Sequence, residues 1–392
     1  MAKRKRRGQH PAVRTARKWP GFAHAVGAVL AGALFLAGVV EAAITGTVTA
    51  HDPSPVVADG SMFYYYATGS STGLITRSSS NLSAWQRGPT IFSTPPSWVT
   101  TDVPNYGGNL WAPDIEYFDG QYHLYYAASS FGSQVSAIGM ATSPTLNTSS
   151  PSFGWVDQGA VIQSTTGSLY NAIDPSVFLD TNGSLWMSFG SFWQGIYLTQ
   201  LNPTTGQLLN PSTPPTRIAR KDTGTDAIEA SYLYKRGNYY YLFVNWNDCC
   251  QGVNSTYEVR VGRSTSINGP FLDKNGVALT DGGGTLFLDD AGAILGNSAI
   301  IGPGQIGIFS DAGVDYYSFH YYDGNNNGTA KFDLLPLYWT GDNWPSAVPV
   351  PEPASWGLAV IAAVGGFLLC MLIPLATARR KLNRVKRLQQ VA

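Results

Sequence analysis

The sequence predicts an all-β protein, a five-bladed β-propeller, set between an N-terminal signal segment and a C-terminal transmembrane helix. Three observations carry that prediction. A short phrase recurs five times, each copy carrying a polar residue within its first three positions and ending in an aromatic strand. Turn-forming dipeptides separate the strand-like runs, and helical periodicity is nearly absent among them. Two apolar runs, each beside a basic cluster, stand near the ends of the chain.

The copies read HDPSPVVADGSMFYYYATG from His51, APDIEYFDGQYHLYYAAS from Ala112 and IDPSVFLDTNGSLWMSFGS from Ile173. They continue as IEASYLYKRGNYYYLFVN from Ile228 and GQIGIFSDAGVDYYSFHYY from Gly304. In register, the leading polar residues are Asp52, Asp114, Asp174, Glu229 and Gln305. Each precedes an apolar strand, a turn such as AspGly or ArgGly that supplies positive φ, and an aromatic strand. Third strands follow, as at 74–78, 137–142 and 259–264, and Trp85, Trp155 and Trp344 mark outer segments. A unit repeating every ~60 residues implies a circular or stacked array. About four strands per unit makes each unit a propeller blade. A β-sandwich with coincidental spacing is the alternative.

Of the 392 residues, 44% are hydrophobic, 12% aromatic and only 13% charged, a large globular composition rather than a disordered one. The formal net charge of zero hides a segregation. Residues 1–18 hold eight Lys/Arg and residues 379–387 hold six, which leaves an acidic body between them. An acidic body argues against nucleic acid, whose phosphates need neutralising cations. It suits a neutral ligand such as a sugar.

The first basic cluster precedes FAHAVGAVLAGALFLAGVVEAA, an apolar run ending in small residues near Ala42 and Ala43. Residues 1–43 thus read as a secretory signal, with an uncleaved anchor as the alternative. No linker interrupts residues 44–348, which form one predicted domain. Residues 356–378 are uncharged and apolar, long enough to span a bilayer, and the basic tail 379–392 should stay cytoplasmic. With the ValProGluProAlaSer segment at 350–355, the part from 349 to 392 resembles the PEP-CTERM sorting signal of Gram-negative bacteria. That resemblance implies export, membrane tethering before processing, and cleavage by an exosortase-type enzyme.

Of three cysteines, Cys370 falls in the apolar run. Cys249 and Cys250 are adjacent, and an exported protein permits either a vicinal disulfide or two thiols. No zinc-type spacing occurs.

Equivalent positions in a closed array face one axis, so Asp52, Asp174 and Glu229 should converge. A single buried carboxylate is ordinarily a structural hydrogen-bonder. Several at one axis repel one another and raise some pKa values, an arrangement that points to chemistry. Glycoside hydrolysis uses such carboxylates: one protonates the leaving oxygen, and another activates water or attacks carbon. Trp111, Phe192, Trp193 and Trp246 fall near the same mouth, where aromatic faces hold sugars or serve as core. Trp111 and Trp193, beside polar or Gly-rich segments, are the candidate sugar platforms.

The motifs at 51–54, 111–115, 171–176, 190–196, 226–230, 249–257 and 320–323 together resemble the endo-α-1,5-L-arabinanases of glycoside hydrolase family 43. The resemblance covers essentially the whole body. It implies an inverting enzyme acting on arabinan, with Asp52 as general base, Glu229 as general acid and Asp174 tuning the acid. Trp111, Asp114, Asn171, Ser191 and Trp193 are the expected substrate-binding residues. The family's fifth copy usually reads Gly-x-Gly-His, whose imidazole helps hold a calcium ion in the central channel. Here that position is Gln305, whose amide oxygen is the candidate Ca2+ ligand, with a purely hydrogen-bonding Gln as the alternative. His320, on an aromatic strand, reads as a satisfied core histidine. The rival functions are an exo-acting arabinofuranosidase or β-xylosidase on the same fold, and a non-catalytic carbohydrate-binding propeller.

Overall fold

The computed structural model describes residues 44–69, 73–221 and 226–350. The signal segment 1–43, the span 356–378 and the tail 379–392 lie outside the described residues. No helix among the described residues is long and apolar enough to cross a membrane.

Five antiparallel sheets follow one another along the chain, each running from an innermost to an outermost strand. Blade one comprises Val57–Asp59, Met62–Ala67, Ile75–Ser79 and Ala84–Arg87. Blade two comprises Leu110–Phe118, Gln121–Ala128, Ser136–Ser143 and Val156–Ser164. Blade three is Ser176–Leu179, Leu185–Phe189, Ile196–Leu201 and Thr216–Ala219. Blade four is Ile228–Arg236, Tyr239–Trp246, Glu258–Ser264 and Thr285–Leu288. Blade five has Ile300–Asp311, Val314–Asp323 and Thr329–Pro336.

The ring is closed by apolar packing and by the start of the domain. Five buried clusters each join two neighbouring blades. Leu74 and Leu124, Val161 and Val177, Leu198 and Leu242, and Phe243 and Phe319 are members, from neighbouring blades, of the first four. The fifth joins blades five and one through Tyr65 and Phe332, stacked 4.0 Å apart, with Trp85 edge-on to both. Aromatic strands suit this role, because large rings fill the wedge between twisted sheets.

Residues 48–50 supply the missing outer strand of blade five: Phe332 donates to the Val48 carbonyl (2.8 Å) and Ala50 to Ala330 (3.2 Å). Just before them, Thr45–Gly46 pairs with Ala84 and Trp85 of blade one. Buried Arg77 of blade one then donates to the carbonyls of Thr47 and Thr49, both at 3.0 Å. One short segment therefore clasps the first and last blades, covering an edge that would otherwise be unpaired.

Each blade enters the channel through a residue with left-handed backbone: Asp52, Ala112, Asp174, Ala230 and Gln305, with φ between 40° and 57°. Non-glycine residues rarely adopt this conformation. These positions correct the predicted register. In blade four the mark falls one residue after Glu229, where the strand bulges. In blade two it falls on Ala112, two residues before Asp114.

Candidate active site

That offset decides where the carboxylates lie. Asp52, Asp174 and Glu229 line one cleft of about 1070 Å³, together with Trp111, Asn171, Ser191, Phe192 and Trp193. Asp114 does not line it. Its buried carboxylate accepts the Val177 N–H at 2.5 Å and so ties blade two to blade three. Burial, with Glu116 beside it, pushes its pKa well above the usual range. The expected substrate contact at Asp114 is thus replaced by a structural one, because the residue sits further along its strand than its counterparts.

Asp52 is held as a carboxylate. His51 donates Nδ1–H to its Oδ2 at 2.7 Å and the Thr68 hydroxyl donates to the same oxygen at 2.8 Å. Burial pushes its pKa up, but the charge and hydrogen bond of His51, with His320 and Thr68, hold it at about 2. The His51 ring stacks on His320 at 4.2 Å, and its Nε2 meets the Tyr322 hydroxyl at 2.6 Å. Burial pulls His51 down, yet Asp52, assisted by Glu229, leaves its pKa above the usual value.

Glu229 is poised the other way. Burial and the charge of Asp52 raise its pKa, against the opposing hydrogen bonds of Ser191 and Tyr257. The Ser191 hydroxyl donates to Oε2 and the Tyr257 hydroxyl to Oε1, each at 2.6 Å. Ser191, expected to touch substrate, therefore grips this carboxyl group. Tyr257 reaches it because residue 304 is glycine: a Cβ there would lie 2.4 Å from the Tyr257 ring. Asp174 is driven well above the usual range by burial, then by Glu229 and Asp52. Its Oδ2 accepts the N–H of Ala230, the residue after Glu229, at 3.1 Å.

Asn171 is buried, accepts the Ser136 hydroxyl at 2.7 Å and borders the cleft. Phe192 and Trp193 both have positive φ, in a loop tied to blade four by Phe192 N–H to the Ile228 carbonyl. Trp193 remains 37% exposed and Phe131, at the rim, 86% exposed, so both present ring surface to a ligand. Cys249 and Cys250 form a vicinal disulfide in the cleft wall. Sequence reasoning singled out neither His51, Thr68, Tyr257 nor Phe131. The first and third stand inside motifs already quoted, at 51–54 and 249–257.

A calcium ion takes six to eight oxygen ligands, waters among them, so few need come from the protein. Gln305 is buried outside the cleft lining and offers one amide oxygen, while its N–H donates to Asn245 Oδ1 at 3.1 Å. Among the described residues, His51, Asp52 and His320 place potential ligand atoms within 4.8 Å of one another. His320 Nδ1 accepts the Asp52 N–H at 3.2 Å, and burial with the His51 charge lowers its pKa to about 3. A neutral ring in that tautomer carries hydrogen on Nε2 and turns a donor, not a lone pair, into the channel. That Nε2 has no partner among the described residues, so His320 is buried as expected but not satisfied.

An ionised carboxylate and a second carboxyl group with a raised pKa, facing one aromatic-walled cleft, are the pair that glycoside hydrolysis uses. The model of the glycosyl hydrolases family 43 matches residues 45–345, and the chain belongs to that family. It is 43% identical to an extracellular endo-α-(1→5)-L-arabinanase of Bacillus subtilis over 84% of this chain and 98% of that protein. It is 38% identical to an extracellular exo-α-(1→5)-L-arabinofuranosidase of Cellvibrio japonicus, over 76% and 86% respectively. Among solved structures, a family 43 endo-arabinanase from Bacillus licheniformis superposes with a TM-score of 0.71. That protein is 40% identical, with 78% of this chain and 99% of the other covered.

Proposed function

We propose that the protein is an exported, endo-acting hydrolase of α-1,5-L-arabinofuranosidic bonds in arabinan, working with inversion. The observation that carries the chemistry is the opposite poise of Asp52, near 2, and Glu229, raised, in one cleft. Asp52 takes a proton from water as the water oxygen bonds to the anomeric carbon. The glycosidic C–O bond breaks, and its oxygen takes the proton of Glu229. Solvent then returns both groups to their starting states. Asp174, through the Ala230 N–H, positions Glu229, and the charge of Asp52 favours its neutral form.

The substrate and the internal mode of cleavage rest on the two endo-acting relatives and on the identity they share with this chain. Trp111, Trp193 and Asn171 contact the sugar in this reading. Product profiling on debranched arabinan tests it: an endo enzyme gives a ladder of oligosaccharides from the first minutes. The exo reading has support in the Cellvibrio relative and requires a single short product from the outset.

Export is consistent with the two extracellular relatives. The chain is held in the membrane through 356–378 until an exosortase-type enzyme cuts near the ProGluPro at 351–353. Mass spectrometry of the mature C-terminus in a Gram-negative host tests this: an intact basic tail contradicts processing.

A further inference from the structure

The cleft-wall disulfide belongs to a continuous chain of hydrogen bonds that ends on Asp52. The Cys250 N–H donates to the Tyr322 hydroxyl oxygen at 2.7 Å. That hydroxyl lies 2.6 Å from His51 Nε2, and His51 Nδ1–H reaches Asp52 Oδ2 at 2.7 Å. Cys250 Sγ itself sits 3.8 Å from the same Nε2. Cys250 has a φ of 67°, an uncommon conformation for a side chain with a Cβ, and its loop is fastened at both ends. Gln251 N–H donates to Ser255 Oγ at 3.0 Å, and Thr256 N–H to the Asp248 carbonyl, also at 3.0 Å.

We propose that the Cys249–Cys250 disulfide is a positioning device for the Asp52 base, acting through Tyr322 and His51. This rests on the reading of Asp52 as the base. The cross-link fixes the peptide between the two cysteines, and so the direction of the Cys250 N–H. That N–H fixes the position of the Tyr322 oxygen, which accepts the Nε2–H of the His51 imidazolium. His51, charged on the acidic side because Asp52 raises its pKa, is thereby held with Nδ1–H on Asp52. Without the cross-link the Tyr322 oxygen loses its fixed anchor, the His51 ring is free to tilt, and Asp52 loses part of what keeps it ionised.

The titratable groups that face Asp52 are few. His51 comes from its own segment, His320 and Tyr322 from blade five, Glu229 and Tyr257 from blade four, and Asp174 from blade three. Of these, only His51 and His320 are cations when protonated, and His320 stays neutral. The disulfide is reachable from solvent, since Cys250 is exposed. A small dithiol would donate two electrons and two protons, giving two thiols on the protein while closing its own disulfide.

The test compares the full-length protein untreated, reduced by a small dithiol, and as Tyr322→Phe, with Asp52→Asn alongside. The readout is the pH profile of kcat/KM between pH 3 and 8. Reduction and Tyr322→Phe should each move the acidic limb upward and lower kcat/KM about tenfold near pH 4, a part of the 10²–10⁴ that acid–base catalysis contributes. Reoxidation should restore both, and a Cys249→Ser/Cys250→Ser variant should behave like the reduced form and ignore dithiol. An unshifted acidic limb in the reduced protein and in Tyr322→Phe, with Asp52→Asn inactive, overturns the positioning role alone. Activity in Asp52→Asn overturns the reading of the base beneath it.

Discussion

The Tyr257 hydroxyl donates to Glu229 Oε1 at 2.6 Å, from a ring that fits only because residue 304 lacks a side chain. This contact and the matching one from Ser191 stabilise the ionised form of Glu229, against burial and Asp52. In the proposed mechanism activity needs the neutral form, so Glu229 sets the alkaline limb of the pH profile. Removing either hydroxyl removes a force that lowers its pKa. Tyr257→Phe and Ser191→Ala should therefore extend activity to higher pH, seen as an alkaline limb moved upward in kcat/KM. A limb moved downward contradicts the assignment.

Gly304→Ala follows from the same contact. A methyl group 2.4 Å from the Tyr257 ring must displace it, so the variant should share the shifted alkaline limb of Tyr257→Phe. Its kcat should fall as well, since overpacking by one methyl typically costs about 1–3 kcal/mol and moves neighbours. The check is the pH profile together with a denaturant melt. A wild-type profile in a fully folded Gly304→Ala protein contradicts it.

Asp174 is buried with two other carboxylates, and its raised pKa has a stability consequence. A carboxyl group whose folded pKa lies above its unfolded value favours the native state less as pH rises between the two. Above the unfolded pKa the native protein therefore bears a cost that the unfolded chain does not. Asp174→Asn keeps an oxygen for the Ala230 N–H and removes that cost, so its melting temperature should rise by a few degrees at pH 7 while hydrolysis falls sharply. The gain should vanish near pH 3, where the native wild-type Asp174 is already neutral. Calorimetry at the two pH values checks both statements, and a lower melting temperature at pH 7 contradicts them.

Arg77 joins the two carbonyls of the closing segment to blade one. Hydrogen bonds to a charged donor contribute about 1.5–3 kcal/mol each, and unpaired carbonyls would be left behind. Arg77→Ala should lower stability by about 3 kcal/mol or more without touching the cleft. Urea unfolding measures this, and an unchanged midpoint contradicts the clasp.

The five-fold phrase made the propeller legible, because every blade spends its aromatic strand on the same wedge of core. It also brought out Asp52, Asp174 and Glu229, the three carboxylates that share the cleft. Register failed at Asp114. A bulge between Trp111 and Asp114 moves that carboxylate down its strand, and a single chain carries no mark of a bulge. His51 and Tyr257 were inside quoted motifs, but their partners come from blades distant in sequence, so their roles depend on ring closure. The missing strand of blade five was hidden for the same reason: residues 48–50 precede the first copy of the phrase.

In the proposed mechanism Glu229 gives the proton and Asp52 takes one. Glu229→Gln and Asp52→Asn, assayed on debranched arabinan and on an arabino-oligosaccharide carrying a dinitrophenyl leaving group, separate the two roles. A leaving group that good needs no proton, whereas the attack of water still needs a base. Glu229→Gln should lose about 10²–10⁴-fold on arabinan but little on the activated substrate, while Asp52→Asn should be inactive on both. Equal losses on both substrates in Glu229→Gln, or retained arabinan hydrolysis in either variant, would contradict it.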